Sequence, residues 1–367
     1  MTDRILTRTG LNRATLARQM LLARSERPVL DAIEHLAGLQ GQQPQSPYIG
    51  LWTRLRDFER EALAGPIHAR AVVKATLQRA TLHLVTTRDY PWLRATLEPV
   101  LERSLAAIAK QRRATGLDFE RVLAAGRAFL AEEPRPFAAL SDMLGELMPD
   151  ADVGAMRYAV RMKLPLVQVP TRNGWSYPGN PLFTLAEQWL GQPIEAAPDL
   201  RALVFRYLAA FGPASLADLQ TWSGLTGLKA AIAPFRDELV TFRDESGREL
   251  LDLPDQPLPP ADTPAPVRFL PEYDNLLLAY KDRTRVIADE YRWRVFLPGL
   301  RVRSCVLVDG FVRAGWGLEK TKAGAVLLIE PFEPLAPDQR DAIAAEGERL
   351  ARFIIGSAGA VVVQFVE

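Results

Sequence analysis

Two primary amides, Gln40 and Gln42, stand two residues apart in Gly38-Leu39-Gln40-Gly41-Gln42-Gln43-Pro44. A glutamine amide offers two donors and an acceptor, and it carries no charge that titrates. Such a pair can hold a water molecule in place, but it cannot act as a strong acid or base near neutral pH. That chemistry suits hydrolysis of a bond whose leaving group is already activated, where positioning the water is most of the task. The other reading is that Gln40 and Gln42 cap helix carbonyls or face solvent. Gln-x-Gln alone is a weak signal between the two.

Other reactive groups are sparse. The single cysteine, Cys305, excludes a disulfide framework and multi-cysteine metal sites. The three histidines, His35, His68 and His83, lie in the first quarter of the chain with no zinc-like spacing, so neither metal nor cofactor is expected. Lys+Arg total 45 against Asp+Glu 44, a formal net charge of +1, which argues against a large nonspecific nucleic-acid binder. A local basic cleft balanced by acidic outer faces stays open, because distribution matters more than the sum. With 48% hydrophobic and 24% charged residues the composition is that of a soluble globular chain. No apolar run is long enough to span a bilayer, and Met1 to Gly10 lacks a signal-peptide core. A cytoplasmic protein without a membrane partner is expected.

The elements that must position the amides read as α+β. Leu11, Leu16, Met20, Leu21 and Leu22 mark a helix over 11–25, with Asn12 as its N-cap. Val29, Leu30, Ile33, Leu36 and Leu39 mark a second helix, which the Gln40–Gln42 stretch closes. A third begins at Pro47 and carries Ile49, Leu51, Trp52 and Leu55. Two β-like runs follow, 71–76 and 80–86. The alternation of the second puts Thr81, His83 and Val85 on one face, opposite Leu82 and Leu84. A long helix is expected over about 88–113. Helices followed by a short hairpin make a winged-helix pattern, and the pattern recurs. Helices 118–131, 136–147 and 153–163 precede strands at 166–169 and 175–177 around an Asn173-Gly174 turn. Helices 200–211, 216–222 (N-cap Ser215) and 228–235 precede strands at 239–242 and 249–253. Three tandem winged-helix modules result, over 1–115, 116–198 and 199–258. A proline-rich connector then leads to a β-rich, barrel-like domain over 264–367. That domain carries strand-like runs at 302–308, 311–318, 325–331 and 360–366, with one helix at about 337–355.

The chain resembles winged-helix DNA glycosylases of the AlkZ and YcaQ type over nearly its whole length. The resemblance rests on Gly38-Leu39-Gln40-Gly41-Gln42 followed by Tyr48-Ile49-Gly50-Leu51-Trp52, on Ala80-Thr81-Leu82-His83-Leu84-Val85, and on Phe269-Leu270-Pro271-Glu272-Tyr273-Asp274-Asn275-Leu276-Leu277-Leu278. It implies three winged helices in a C shape plus a β-barrel, and a monofunctional enzyme that removes alkylated bases and unhooks interstrand crosslinks. Gln40 and Gln42 fall on the family's catalytic Gln-x-Gln, and Gly41 replaces its usual bulkier apolar middle residue. A purine alkylated at N7 is cationic and leaves as a neutral base without a general acid. Gln42, with Gln40, would then orient water toward the anomeric carbon of an oxocarbenium-like sugar. A preference for cationic lesions over neutral adducts follows. The partner would be double-stranded DNA with alkylated or crosslinked purines, bound by a monomer.

Further candidates are less specific. His83 and Thr81 face the same cleft or pack in the hairpin. Glu272, Tyr273 and Asp274 orient the amides or hold the third module to the barrel. Arg157 and Arg161 lie on one face of a recognition-type helix, or on a solvated one. Lys281, Arg283, Arg285, Arg292 and Arg294, interleaved with Tyr280, Tyr291 and Trp293, suit phosphate contacts and wedge insertion. The turn Val308-Asp309-Gly310-Phe311, with Arg301, Arg303 and Arg313 nearby, is either a groove-probing hairpin or a surface turn. Two other functions fit the same modules: a winged-helix transcriptional regulator and a non-catalytic damage-binding protein.

Overall fold

The computed structural model describes residues 4–114, 117–172, 174–322, 324–356 and 359–366. It is a mixed α+β protein. Among the described residues the strands form sheets of six, five, three and two.

The first helix, Arg8–Arg18, starts one turn earlier than expected. Thr7 is its N-cap, and the hydroxyl oxygen accepts the Gly10 N–H. Asn12 instead lies inside the helix, fully buried, and its amide donates to the carbonyls of Arg285 (2.7 Å) and Gly310 (2.8 Å). From Leu11 on the helix is buried on nearly every side, because the polar residues there find partners. Arg18 makes a two-pronged pair with Asp252 at 2.6 and 2.8 Å, and the Thr15 hydroxyl meets that of Tyr280 at 3.0 Å.

The second helix, Val29–His35, stops before the glutamines. Ala37 (φ 56°) and Gly38 (φ 89°) turn the chain through the left-handed region, and Leu39–Gln40 emerges as a strand rather than a helix end. Glycine is required at 38, since a Cβ there would meet Val85 Cγ1 at 2.8 Å. This strand edges the six-stranded sheet. Next come Leu82–Thr86, Val72–Thr76, Leu166–Val169, Leu182–Leu185 and Arg135–Pro136, all antiparallel. Gln40, His83 and Ala75 stand in register and share one face. Leu39, Leu84 and Lys74 share the other. Ala75 pairs with Val167, so the hairpin that follows the first helices and the one that follows the next set are one continuous sheet.

Several boundaries differ from expectation. The helix over 88–113 is two, Tyr90–Thr96 and Glu98–Gln111, because Pro99 has no N–H to continue the ladder. The run 175–177 is not a strand. The return strand is Leu182–Leu185, and Tyr177 turns inward, 4% exposed. Asn173 lies outside the described residues. The helix over 228–235 breaks at Pro234 into Leu228–Ala231 and a 3-10 segment, Ala233–Glu238. The hairpin Val240–Asp244 with Glu249–Asp252 gains a parallel third strand, Ile5–Leu6.

The C-terminal sheet runs Arg268–Leu270, Cys305–Val308, Phe311–Thr321, Gly324–Pro331, Ala360–Phe365. Its outer strands do not pair with one another, so among the described residues it is an open sheet rather than a closed barrel. The helix Pro337–Ile355 packs on it closely enough that a Cβ at Gly347 would meet Leu327 at 2.6 Å. No helix of the described residues is long and apolar enough to cross a membrane.

Candidate active site

Gln40 is 6% exposed, and its surroundings fix its amide. Arg79 donates to Gln40 Oε1 at 2.7 Å. A guanidinium only donates, so the atom facing it must be the carbonyl oxygen, and the Gln40 NH2 group is the end left for other partners. Arg79 reaches this position from the turn between the two inner strands, where it adopts a left-handed conformation (φ 54°). It also donates to the carbonyl of Trp222. Burial and the neighbouring charge of Arg283 push the Arg79 guanidinium down to about 10, so it stays charged at neutral pH. Asn275 clamps the same strand. It accepts the Gln40 N–H at 3.3 Å and donates to the Gly38 carbonyl at 2.6 Å. Gln42 follows in an exposed bend. Between the amides, a Cβ at Gly41 would meet Leu84 Cδ1 at 2.8 Å and Lys74 Cε at 3.3 Å.

His83 lies beside Gln40 across the ladder and is 2% exposed. Its Nδ1 is 3.1 Å from the Thr81 carbonyl, which can only accept, so Nδ1 carries the proton and Nε2 presents a lone pair. Burial, then the charge of Arg79, push the imidazole down to about 3, and it is neutral through the physiological range. Thr81 turns its hydroxyl to the carbonyl of Gln78 at 3.1 Å.

Asp274 is an anchor. Both its oxygens accept from Arg54 at 2.8 Å, with side chains 1% and 3% exposed, and Oδ1 also caps the N–H of Leu276 at 3.0 Å. Tyr273 is half-buried in a left-handed conformation (φ 59°), and burial raises its phenol. Burial likewise raises the Glu272 carboxyl. These three residues and Gln40 line one small cavity together with Gln19 and Arg54. Among the described residues no group of three or more His, Cys, Asp or Glu side chains could hold a metal ion.

The basic residues divide into two sets. Arg294 and Arg303 both pair with Glu330 at 2.8 and 2.5 Å, and Arg313 pairs with Glu333 at 2.9 Å. Arg285 is 5% exposed, donates to the Pro213 carbonyl at 2.8 Å and lies over the Tyr280 ring, so it is no surface cation. The other set has no ion-pair partner among the described residues. Lys281 and Arg292 are exposed. Arg283 is half-buried, donates to the Leu277 carbonyl at 3.1 Å and lies over the Phe296 ring. Arg157 is exposed, 3.5 Å from the Ser141 hydroxyl, and Arg161 donates to Thr76 Oγ1 at 3.2 Å.

The turn at 308–311 does not probe a groove. It packs on the first helix, where Arg13 holds the Asp309 carbonyl at 3.0 Å and its carboxylate at 2.6 Å. The projecting element is another hairpin, Phe296–Leu297 with Arg301–Val302. Leu300 at its tip is 91% exposed, and nearby Trp293 is 72% exposed. Sequence reasoning missed this hairpin, as well as Arg79 and Asn275. Pro298-Gly299 was the available signal for the hairpin.

A buried, oriented amide beside an exposed one, next to a sheet edge and uncompensated cations, is consistent with what comparison with known proteins shows. The model of the AlkZ-like DNA glycosylase family matches residues 33–353, and the chain belongs to that family. Among solved structures, Streptomyces sahachiroi DNA glycosylase AlkZ has a similar fold. The TM-score is 0.79, covering 99% of this chain and 100% of that one at 19% sequence identity. No curated protein matches the sequence.

Proposed function

We propose that the chain hydrolyses the N-glycosidic bond of cationic N7-alkylated purines in double-stranded DNA, with the water held by the glutamine pair. The observation that carries this reading is the Arg79–Gln40 bond. With the Gln40 carbonyl engaged, two acceptors remain beside the strand: the carbonyl of exposed Gln42 and the Nε2 lone pair of His83. Gln42 Oε1 takes a hydrogen bond from the attacking water, whose oxygen lone pair faces the anomeric carbon. The Gln40 NH2 group steadies the water or a sugar oxygen. Neither amide nor a histidine titrating near 3 takes up a full proton at neutral pH. None of them can donate a full proton to the leaving base either, so that base must depart by itself, as a purine made cationic at N7 does, and the water's proton passes to solvent once the C–O bond has formed. Arg79 is a positioning residue in this scheme.

The cations without carboxylate partners, Arg157, Arg161, Lys281, Arg283 and Arg292, are the phosphate contacts. Leu300 and Trp293, flanked by Arg292 and Arg301, form an apolar wedge. An apolar wedge suits crosslinked purines as well as monoadducts, because it does not demand full extrusion of the base. In this reading three winged-helix modules and a β-rich domain act together as a monofunctional monomer in the cytoplasm.

The test is base release from N7-methylguanine duplex against a duplex carrying a neutral etheno or uracil base. Gln42→Ala and Gln40→Ala should each slow release of N7-methylguanine by about a hundredfold, the scale of a mispositioned reactant, with duplex affinity kept. Equal rates on cationic and neutral bases would reject the mechanism.

A further inference from the structure

Lys74 is a lysine in an uncommon position. It lies on the strand Val72–Thr76, on the face away from Gln40, and is 3% exposed. Its ammonium stands 4.8 Å from the Tyr177 ring centre, and among the described residues it has no carboxylate or other hydrogen-bond partner. Buried charges are ordinarily paired. Here the nearest charge is another cation. Arg161 crosses from the helix Val153–Lys163 to Thr76 Oγ1, one step along the same face of the strand. Burial, then Arg161, lower the Lys74 ammonium to about 8. Burial also lowers Arg161, which has no carboxylate either. Elsewhere the fold answers its buried cations: Arg18 pairs with Asp252 and Arg54 with Asp274, and Arg285 donates to the Pro213 carbonyl and lies over the Tyr280 ring. Two facing cations left unneutralised at a seam between strand pairs mark a place whose counter-ion comes from outside.

We propose that Lys74, Arg161 and the Thr76 hydroxyl form a subsite for a backbone phosphodiester of bound DNA, at the seam where Ala75 pairs with Val167. The inference rests on the reading of the chain as a DNA glycosylase and adds a registration point to it. The Lys74 stem runs against Gly41, between the two amides, so a phosphate held there fixes the strand relative to the loop that carries Gln42. Glycine at 41 is what admits the stem. A phosphodiester stays anionic over the whole working range, and its charge restores the proton affinity of Lys74. DNA binding at this subsite therefore takes up a proton once the free ammonium has begun to titrate.

The experiment is fluorescence-anisotropy titration of undamaged duplex at constant ionic strength from pH 6.5 to 9.5, with a salt series at each pH. The variants are Lys74→Arg and Lys74→Met. With a free-protein value of about 8, wild-type affinity should fall roughly tenfold between pH 7 and 9. Lys74→Arg, which cannot lose its proton, should flatten that fall and keep the salt slope. Lys74→Met should flatten it, weaken binding, and lower the salt slope by about one contact. A flat wild-type profile, or an unchanged salt slope in Lys74→Met, overturns the proposal. So does thermal stabilisation of wild type, but not of Lys74→Met, by inorganic phosphate with the duplex profile unaffected, because the ligand would then be the free anion. Thermal melts of both variants confirm folding. Base release from N7-methylguanine duplex by Gln42→Ala is read separately. If it persists the glycosylase mechanism fails, whereas the duplex profiles decide the subsite.

Discussion

Replacing Asp274 by alanine removes the carboxylate that receives both arms of Arg54. The guanidinium is 1% exposed and keeps only the Gly50 carbonyl at 3.0 Å and Gln19 Oε1 at 3.2 Å as partners. Breaking a buried ion pair from one side costs about 3–5 kcal/mol, because the remaining charge is stranded. Losing the cap on Leu276 costs about 1 kcal/mol more. Those contributions share one carboxylate and do not add fully, so we take about 4 kcal/mol. At roughly 2 °C per kcal/mol for a large domain, the melting temperature should fall by roughly 8 °C. Asp274→Asn keeps a cap acceptor and one bond to Arg54 and should fall in between. Differential scanning fluorimetry reads both. Base release measured well below the lowered melting temperature should survive. If Asp274→Ala melts with wild type but no longer releases base, the carboxylate acts on substrate and the structural assignment is wrong.

Three further outcomes are expected. His83 binds its proton only near pH 3 in the folded protein, against 6.5 ordinarily. The unfolded chain therefore takes up the extra proton between those values, and stability is lost as pH falls from 6.5 toward 3. The slope is at most about 1.4 kcal/mol per pH unit, and His83→Gln should lessen the drop in melting temperature between pH 7.5 and 5.5. Gly310→Ala should destabilise by more than about 2 kcal/mol, since φ is +82° and the new Cβ would meet Asn12 Oδ1 at 2.4 Å and Leu16 Cδ1 at 2.6 Å; a wild-type melt would contradict that packing. Leu300→Ser, at a position 91% exposed, should leave the melting temperature within the range of about 0.5 kcal/mol yet weaken duplex binding; unchanged binding would remove the wedge.

Periodicity carried most of the element reading. Cys305–Val308, Phe311–Thr321, Gly324–Pro331, Ala360–Phe365 and the helix Pro337–Ile355 fall within a few residues of the apolar runs that announce them, whereas the strand Arg268–Leu270 is not announced. Two of the misplaced breaks were visible in Pro99 and Pro234, whose missing N–H outweighs a continuous apolar stripe. What sequence could not supply was partnership at a distance. Arg294, Arg303 and Arg313 look like free cations until the sheet brings Glu330 and Glu333 against them. Arg79 and Lys74 look ordinary until a left-handed turn brings the one against Gln40 and the strand seam buries the other. The Gln-x-Gln spacing marks the candidate site. Which amide atom is free is decided by an arginine 39 residues downstream, and spacing says nothing about it.

The helix Arg8–Arg18 has almost no local partners. Asn12 waits for the carbonyls of Arg285 and Gly310, Thr15 for Tyr280, and Arg18 for Asp252. During synthesis these residues leave the ribosome well before their partners, which lie 234 to 298 residues further along the chain. Such long loops must close before the first helix is satisfied, which makes folding slow and late. A nascent chain halted before residue 252 exposes that helix with an unpaired Arg18, a natural handle for chaperones and proteases.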